Sequence, residues 1–233
     1  MDPFMSSLIE IGKKYPSSKN RFGFIQIYEK YFERIKNNKI NILEIGIDKG
    51  DSLRIWRDYF PNAKICGIDI KKKDFKINGV DFFFGDQSDK IFLKSVIDKF
   101  NSFDIIIDDG SHISKHIISS FNYLYPYLNN NGFYIVEDLQ TSYIPRYGGS
   151  RLRLNKFNTS MNFLKRLTDC INYEHDDRPF YKKNKFDGMV KFVHFHQNIV
   201  FVKKETSNKY YHPVKKQMSL INLLKKLFSK IFY

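Results

Sequence analysis

Two pairs of adjacent acids, Asp108–Asp109 and Glu137–Asp138, each follow an apolar run, and His112 lies three residues beyond the first pair. Adjacent parallel strands lie about 4.8 Å apart, so acids at neighbouring strand ends can share one ion. Crowded carboxylates raise one another's pKa, and a divalent cation relieves that repulsion. Oxygen ligands favour magnesium, manganese or calcium over zinc. An imidazole suits proton removal near neutral pH, and a cation that acidifies a bound hydroxyl would cooperate with it. This grouping therefore points to metal-assisted deprotonation of a hydroxyl, with His112 as the candidate base and with Asp108 and Asp109 both open as the aspartate that faces the metal.

The elements that must position these residues recur regularly. The runs INILEIG (40–46), AKICGIDI (63–70), VDFFFGD (80–86), FDIIIDD (103–109) and GFYIVED (132–138) are nearly continuous in Ile, Val, Phe and Tyr. Such runs read as strands buried on both faces of a parallel sheet. Between them SLRIWRDYF (52–60), DKIFLKSVIDKF (89–100) and SKHIISSFNYLYPYL (114–128) have helical spacing, and alternation of this kind implies right-handed βαβ units. The tract NNNG (129–132) is expected to close the last helix, because its residues tolerate left-handed angles. MVKFVHF (189–195) and NIVFVKKE (198–205), separated by His196 and Gln197, predict an antiparallel hairpin. LIEIGKKY and FIQIYEKYFERI read as helices that cover the site.

The chain is long enough for one sizeable α/β domain. The expected division is an N-terminal helical cap (1–38), a core (39–205), and a linker with a basic amphipathic helix (206–233). Cys66 and Cys170 cannot form a disulfide framework, which suits a reducing compartment. No apolar stretch approaches the roughly 18–20 residues of a membrane-spanning helix. A cytoplasmic protein is expected. In the last helix Leu220, Ile221, Leu224, Leu227, Phe228 and Ile231 share one face opposite lysines, which would suit contact with an anionic inner-membrane surface or docking on protein. The formal charge of +14 suggests nucleic acid, but a chain crowded with Lys, Asn, Ile and Phe and holding one alanine, Ala63, also fits an A+T-rich coding bias. Nucleic acid is therefore not the expected partner; a homo-oligomer is.

A parallel sheet ending in an antiparallel hairpin resembles the Rossmann-like fold of class I S-adenosylmethionine-dependent methyltransferases, with helices on both faces. That resemblance makes the strand-end acids a cofactor site, since ligands of open α/β sheets bind where strand order reverses. Glu44 ends the first strand, Gly46 and Gly50 lie in the turn, and Ser52 follows them. Asp69 is placed for the ribose hydroxyls, Asp86 and Gln87 for the adenine, and Asp108 borders the same cleft. The spacing E-x-G-x-x-x-G lacks the tighter glycine pattern of a pyrophosphate site. A single strand-end carboxylate can equally cap the next helix; several in register make that less natural.

FDIIIDDGSH, SFNYLYPYLNNNGFYIVEDLQTSY, LEIGIDKGDSLRIWRDYFPNAKICGIDI and GDQSD are together similar to the metal-dependent sugar O-methyltransferases of the macrocin and mycinose type. The resemblance covers roughly residues 40–145. It implies Mg2+ (or Mn2+) at Asp109, Glu137 and Asp138, His112 as the base, S-adenosylmethionine as methyl donor, and a deoxysugar hydroxyl on a macrolide as acceptor; the A+T-rich bias favours a surface polysaccharide instead, and a nucleotide-linked sugar is the other acceptor expected. Two departures stand out: the first glycine turn is short, and Phe22 and Phe24 stand where the family has a histidine upstream of Tyr28. The segment Ser142 to Asn158, with Arg146, Arg151 and Arg153, is expected to border the acceptor and could hold a phosphate. The rival activity is RNA 2′-O-methylation, which uses a lysine base, and no lysine has an evident place beside the strand-end acids. The base-amino methylation motif is absent, and a non-catalytic basic binding module is the remaining alternative.

Overall fold

The computed structural model describes residues 6–175 and 182–206. Seven strands form one sheet in the order β3-β2-β1-β4-β5-β7-β6. The strands are β1 (Asn41–Ile45), β2 (Lys64–Asp69), β3 (Val80–Phe84), β4 (Phe103–Asp108), β5 (Leu128–Val136), β6 (Val190–His196) and β7 (Ile199–Lys204). The first five run parallel, and β7 joins β5 antiparallel. Helices α4 (Asp51–Tyr59), α5 (Lys90–Phe100) and α6 (Ser114–Leu124) are the crossovers. This is the expected Rossmann-like arrangement, with strand order reversing between β1 and β4.

The sheet is apolar on both faces, and each face has its own core. Leu43, Ile45, Ile106, Tyr134 and Val136 pack with α5 and α6, while Ile42, Ile105, Ile107, Ile135 and Phe201 pack with α4 and the N-terminal segment. That segment forms α1 (Leu8–Gly12), α2 (Ser18–Arg21) and α3 (Phe24–Phe32). A reciprocal cap between Ser7 and Glu10 starts α1, and the Leu8 N–H donates to Glu29 of α3 at 2.7 Å. Helix α2 has no apolar period and was not expected.

Several expectations need correction. VDFFF (80–84) is an edge strand with partly exposed residues, not one buried on both faces, because nothing pairs beyond it among the described residues. The NNNG tract does not close a helix. Helix α6 ends at Leu124, a short 3-10 turn at Tyr125–Tyr127 contains Pro126, which has no N–H to donate, and β5 begins at Leu128. The tract's tolerance of left-handed angles is used inside the strand, where Asn131 (φ +65°) accompanies a register shift against β4. The hairpin turn falls at Gln197 and Asn198, since His196 still pairs with Ile199 and Asn198 takes φ +62°. The expected helix over 216–233 lies outside the described residues.

Candidate active site

Side chains alternate along a strand, and that period decides which acids meet. Glu44 shares parity with Ile42, Asp109 with Ile105 and Ile107, and Glu137 with Ile135, all on the face covered by the N-terminal helices. Asp108 has the parity of Ile106 and points to the other face. The Asp109 N–H donates to Ile45 O at 2.9 Å and the Glu137 N–H to Asp108 O at 3.0 Å, so the three strand ends stay together just past the sheet. Gly46 makes this approach possible: at φ +94°, a Cβ there would lie 2.2 Å from the Asp109 carbonyl oxygen.

The three carboxylates surround Lys19 of α2, whose Nζ lies 2.7 Å from Asp109 Oδ2, 2.8 Å from Glu137 Oε1 and 3.2 Å from Glu44 Oε1. This overturns the expectation that no lysine reaches the strand-end acids. Burial opposes the charge on Lys19, but Asp109, Glu137 and Glu44 outweigh it and raise its pKa well above the ordinary lysine value. Tyr28 of α3 donates to the same Glu137 oxygen at 2.5 Å. Glu137 is nevertheless pushed up to about 8, by burial first and by the charge of Asp109 second. Glu44 is also raised, chiefly by burial. One ammonium cannot neutralise three ionised carboxylates, and the raised values of Glu137 and Glu44 record that surplus.

That surplus lies beside a cluster suited to a cation. Asp109, His112 and Asp138 each present one ligand atom, mutually within 4.8 Å, and all three are half-buried. His112 Nε2 stands 3.6 Å from Asp138 Oδ2. Both residues are left-handed, at φ +56° and φ +54°. Such backbone costs on the order of 1 kcal/mol or more per residue and concentrates where a side chain must be aimed. Gln140 Nε2 donates to Asp138 Oδ1 at 3.1 Å, while its buried Oε1 has no hydrogen-bond partner. Two carboxylates, an unpartnered amide oxygen and excess negative charge fit a hard divalent ion such as Mg2+ or Mn2+, with the imidazole beside them and not counted as a ligand. Glu137 is not in this cluster; Lys19 and Tyr28 hold its Oε1.

The residues expected at the cofactor divide into two groups. Gly50 (φ +78°) caps α4, and Ser52 and Trp56 of that helix donate to Glu44 Oε2 at 2.9 and 3.2 Å. Asp69 Oδ2 accepts from the Ile47 N–H at 3.0 Å and pairs with Lys73 at 2.9 Å, so β2 is tied to the glycine turn. Partial burial acts to raise the Asp69 pKa, but hydrogen bonds from Lys71, Lys73 and Ile47 overcome it and lower the value. These groups fasten the ends of β1 and β2 to the glycine turn and to α4. The second group is turned inward or onto itself. Asp108 accepts from Ser120 at 2.7 Å and Gln87 at 3.0 Å, and burial raises its pKa. Gln87 Oε1 accepts the Ser111 N–H at 2.8 Å, and Asp86 accepts from the Ser88 N–H and hydroxyl.

Lys19, Tyr28, Ser120 and Tyr147 are the participants that sequence reasoning missed. Tyr147 sets its ring edge-on to His112, with centroids 6.4 Å apart, and so carries the arginine loop to the site. Arg146 lies over that ring, 4.8 Å from its centroid, and it is exposed, as are Arg151 and Arg153. Tyr28 had a usable signal, since the apolar period of FIQIYEKYF places it on the buried face. Lys19 had none.

No protein-family model matches the chain. It is 37% identical over 190 residues to 8-demethyl-8-alpha-L-rhamnosyl tetracenomycin-C 2'-O-methyltransferase of Streptomyces olivaceus, covering 78% of this chain and 50% of that protein. It is 33% identical over 213 residues to mycinamicin VI 2''-O-methyltransferase of Micromonospora griseorubida, covering 84% and 52%. The chain thus spans about half the length of the curated relatives it matches. Among solved structures, MycE methyltransferase from the mycinamycin biosynthetic pathway, in complex with Mg, SAH and mycinamycin VI, superimposes with a TM-score of 0.80 at 32% identity, over 89% of this chain and 57% of that one.

Proposed function

This chain is a relative of the sugar O-methyltransferases of antibiotic glycosides in sequence and fold, and we propose from that kinship that it methylates a sugar hydroxyl, with S-adenosylmethionine as donor and Mg2+ or Mn2+ as cofactor. The observation that carries this reading is the convergence of Asp109, His112 and Asp138 beside the β1/β4 crevice. Asp109 and Asp138 would hold the cation, with Glu137 alongside as the family resemblance implies. When bound, the cation supplies Lewis acidity toward the acceptor hydroxyl. His112 Nε2 takes the hydroxyl proton, and Asp138 Oδ2, 3.6 Å away, faces the imidazolium that results. S-adenosylmethionine, when bound, would supply the methyl group to the acceptor oxygen that His112 deprotonates. Glu44, Gly46, Gly50, Ser52 and Asp69 shape the donor's side of the crevice, and Tyr147 covers His112 on the acceptor side.

Arg146, Arg151 and Arg153, in the loop that reaches His112, support an acceptor bearing phosphate, hence a nucleotide-linked sugar; a surface polysaccharide is the other acceptor expected from the sequence. Release of S-adenosylhomocysteine with nucleotide sugars, neutral glycosides and polysaccharides in parallel separates these. Asp109→Asn should abolish turnover while calorimetry still shows S-adenosylhomocysteine binding. Turnover that survives exhaustive chelation would falsify the metal assignment. RNA 2′-O-methylation gains little from Lys19, because a lysine charged by three carboxylates cannot act as a base. We place the protein in the cytoplasm, with residues 216–233 as a contact either with the membrane surface or with protein. Equal flotation with anionic liposomes of the full chain and of a chain ending at Pro213 would refute the membrane contact.

A further inference from the structure

The ammonium at the centre of the strand-end acids comes from the N-terminal segment, 90 residues away in sequence from Asp109 and 118 from Glu137. Its backbone is firmly placed. Ser17 Oγ accepts the Lys19 N–H at 3.3 Å, and Asn20 donates to Gly12 O at 2.7 Å and Tyr15 O at 2.8 Å, locking α2 against the end of α1. Lys19 is 1% exposed, as hidden as any apolar core residue. Burying an ammonium and several carboxylates loses more hydration than the pairing usually returns, and apolar side chains would hold this segment down at least as well. Stability is therefore a poor reason for the cluster.

Geometry supplies a better one. Among the described residues, Lys19 alone donates a hydrogen bond to the Asp109 carboxylate. Asp109 is 22% exposed, so without that donor its side chain is free to turn into solvent. Glu44 Oε1 lies 3.2 Å from the ammonium but out of hydrogen-bonding alignment, and its other oxygen is already held by Ser52 and Trp56. The directed contacts thus go to the two acids nearest the cation cluster, and the looser one goes to the acid on the donor's side.

We propose that Lys19 is a positioning residue for the cation site: it grips Asp109 by Oδ2 so that this carboxylate faces His112 and Asp138, and it holds Glu137 beside them. The inference rests on the reading of this chain as a divalent-metal-dependent methyltransferase. It makes the N-terminal segment part of the metal centre, and not a cover laid over it.

The test measures Mn2+ affinity by electron paramagnetic resonance of the free ion, and S-adenosylhomocysteine affinity by calorimetry, on the full chain and on Lys19→Met. Removing a residue that orients a ligand from outside the coordination sphere weakens metal affinity about 10- to 100-fold, and a loss of that size is expected here. S-adenosylhomocysteine affinity should stay unchanged, because Ser52 and Trp56 still hold Glu44. Unchanged or tighter Mn2+ binding overturns the proposal. So does a parallel loss of both ligands, which would make Lys19 an anchor for the segment and nothing more. If Lys19→Met does not fold, Lys19→Leu, which also lacks a donor, carries the same test: weaker Mn2+ with retained S-adenosylhomocysteine is expected, and intact Mn2+ affinity refutes. Wild type that binds no Mn2+ defeats the metal-dependent reading itself; wild-type binding that the variants leave unchanged defeats the role of Lys19 alone.

Discussion

Gln87 offers a sharp test of how this site is assembled. Its side-chain amide is committed at both ends: Nε2 donates to Asp108 Oδ1 at 3.0 Å, and Oε1 accepts the Ser111 N–H at 2.8 Å. It thereby ties the loop after β3 to the buried acid of β4 and to the turn that carries His112. The fit is close, since a Cβ at Gly110 would come within 2.3 Å of Gln87 Oε1. Gln87→Ala removes a hydrogen bond to a charged group, worth about 1.5–3 kcal/mol, and leaves the Ser111 N–H without its partner, worth about 1 kcal/mol more where water reaches it. The expected loss is about 3 kcal/mol. For a domain of this size each kcal/mol lowers Tm by about 2–4 °C, so a fall of about 6–12 °C is expected. Gln87→Glu should be worse, because it sets a second carboxylate against Asp108, whose pKa burial already raises. Thermal unfolding by circular dichroism reads the stability, and calorimetry with S-adenosylhomocysteine reads the cofactor. An unchanged Tm with greatly weakened cofactor binding would refute the reasoning and make Gln87 an adenine contact, as its sequence position suggests.

Other measurements follow from the same structure. Glu137 is pushed up to about 8, by burial and then Asp109, and burial also raises Glu44 and Asp108. A carboxyl with a raised folded value binds a proton that the unfolded chain has released, so stability of the metal-free protein should fall as pH rises from the ordinary carboxyl range toward about 8. Mn2+ should therefore raise Tm more at alkaline than at acidic pH, and an equal rise at both would count against the charge surplus. Asp69 works in the opposite sense: its value is lowered, so its contribution is present above the ordinary carboxyl value and disappears as pH falls below it. Asp69→Asn should accordingly flatten the acid limb of the Tm–pH curve. Buried Lys204 donates to the carbonyls of Tyr125, Pro126 and Leu128 where α6 gives way to β5. Lys204→Met should cost about 2–3 kcal/mol in urea unfolding, the penalty for buried carbonyls left without donors. Its effect on S-adenosylhomocysteine affinity should be negligible, and a variant as stable as wild type would show that the carbonyls find other partners.

How far the sequence can be read depends on the distance over which its signals act. Continuous apolar runs and helical spacing are local, and they locate β1, β2, β4, α4 and α5 closely. The edge position of β3 is not local, because a strand's neighbours are chosen by the whole sheet. The turn at Gln197–Asn198 was misplaced by a single residue, since only the pairing of His196 with Ile199 decides where the ladder stops. Lys19 lies at the far limit of legibility. It is one of 39 lysines and arginines, in a helix of four residues with no apolar period, and its partners are contributed by three separate strands. A lysine's ordinary place is at the surface, so no rule applied to the N-terminal segment alone would bury this one.

The adjacent acids after β4 show what the strand period adds. From composition alone Asp108 and Asp109 are interchangeable, and both were expected to touch the cofactor cleft or the metal. In a pleated strand they cannot do the same work, because neighbours point to opposite faces. Asp108 goes to the α5/α6 side and is fastened by Ser120 and Gln87, which anchors the strand end. Asp109 goes to the other side, meets Lys19, and stands with His112 and Asp138. A slip of one residue in the register of β4 would exchange them, sending the anchored acid to the reactive face and the metal-facing acid into the core. The parallel pairing of Ile105, Ile106 and Ile107 with both β1 and β5 prevents that slip. The isoleucines therefore do more than fill the interior: by setting register, they determine which aspartate does chemistry.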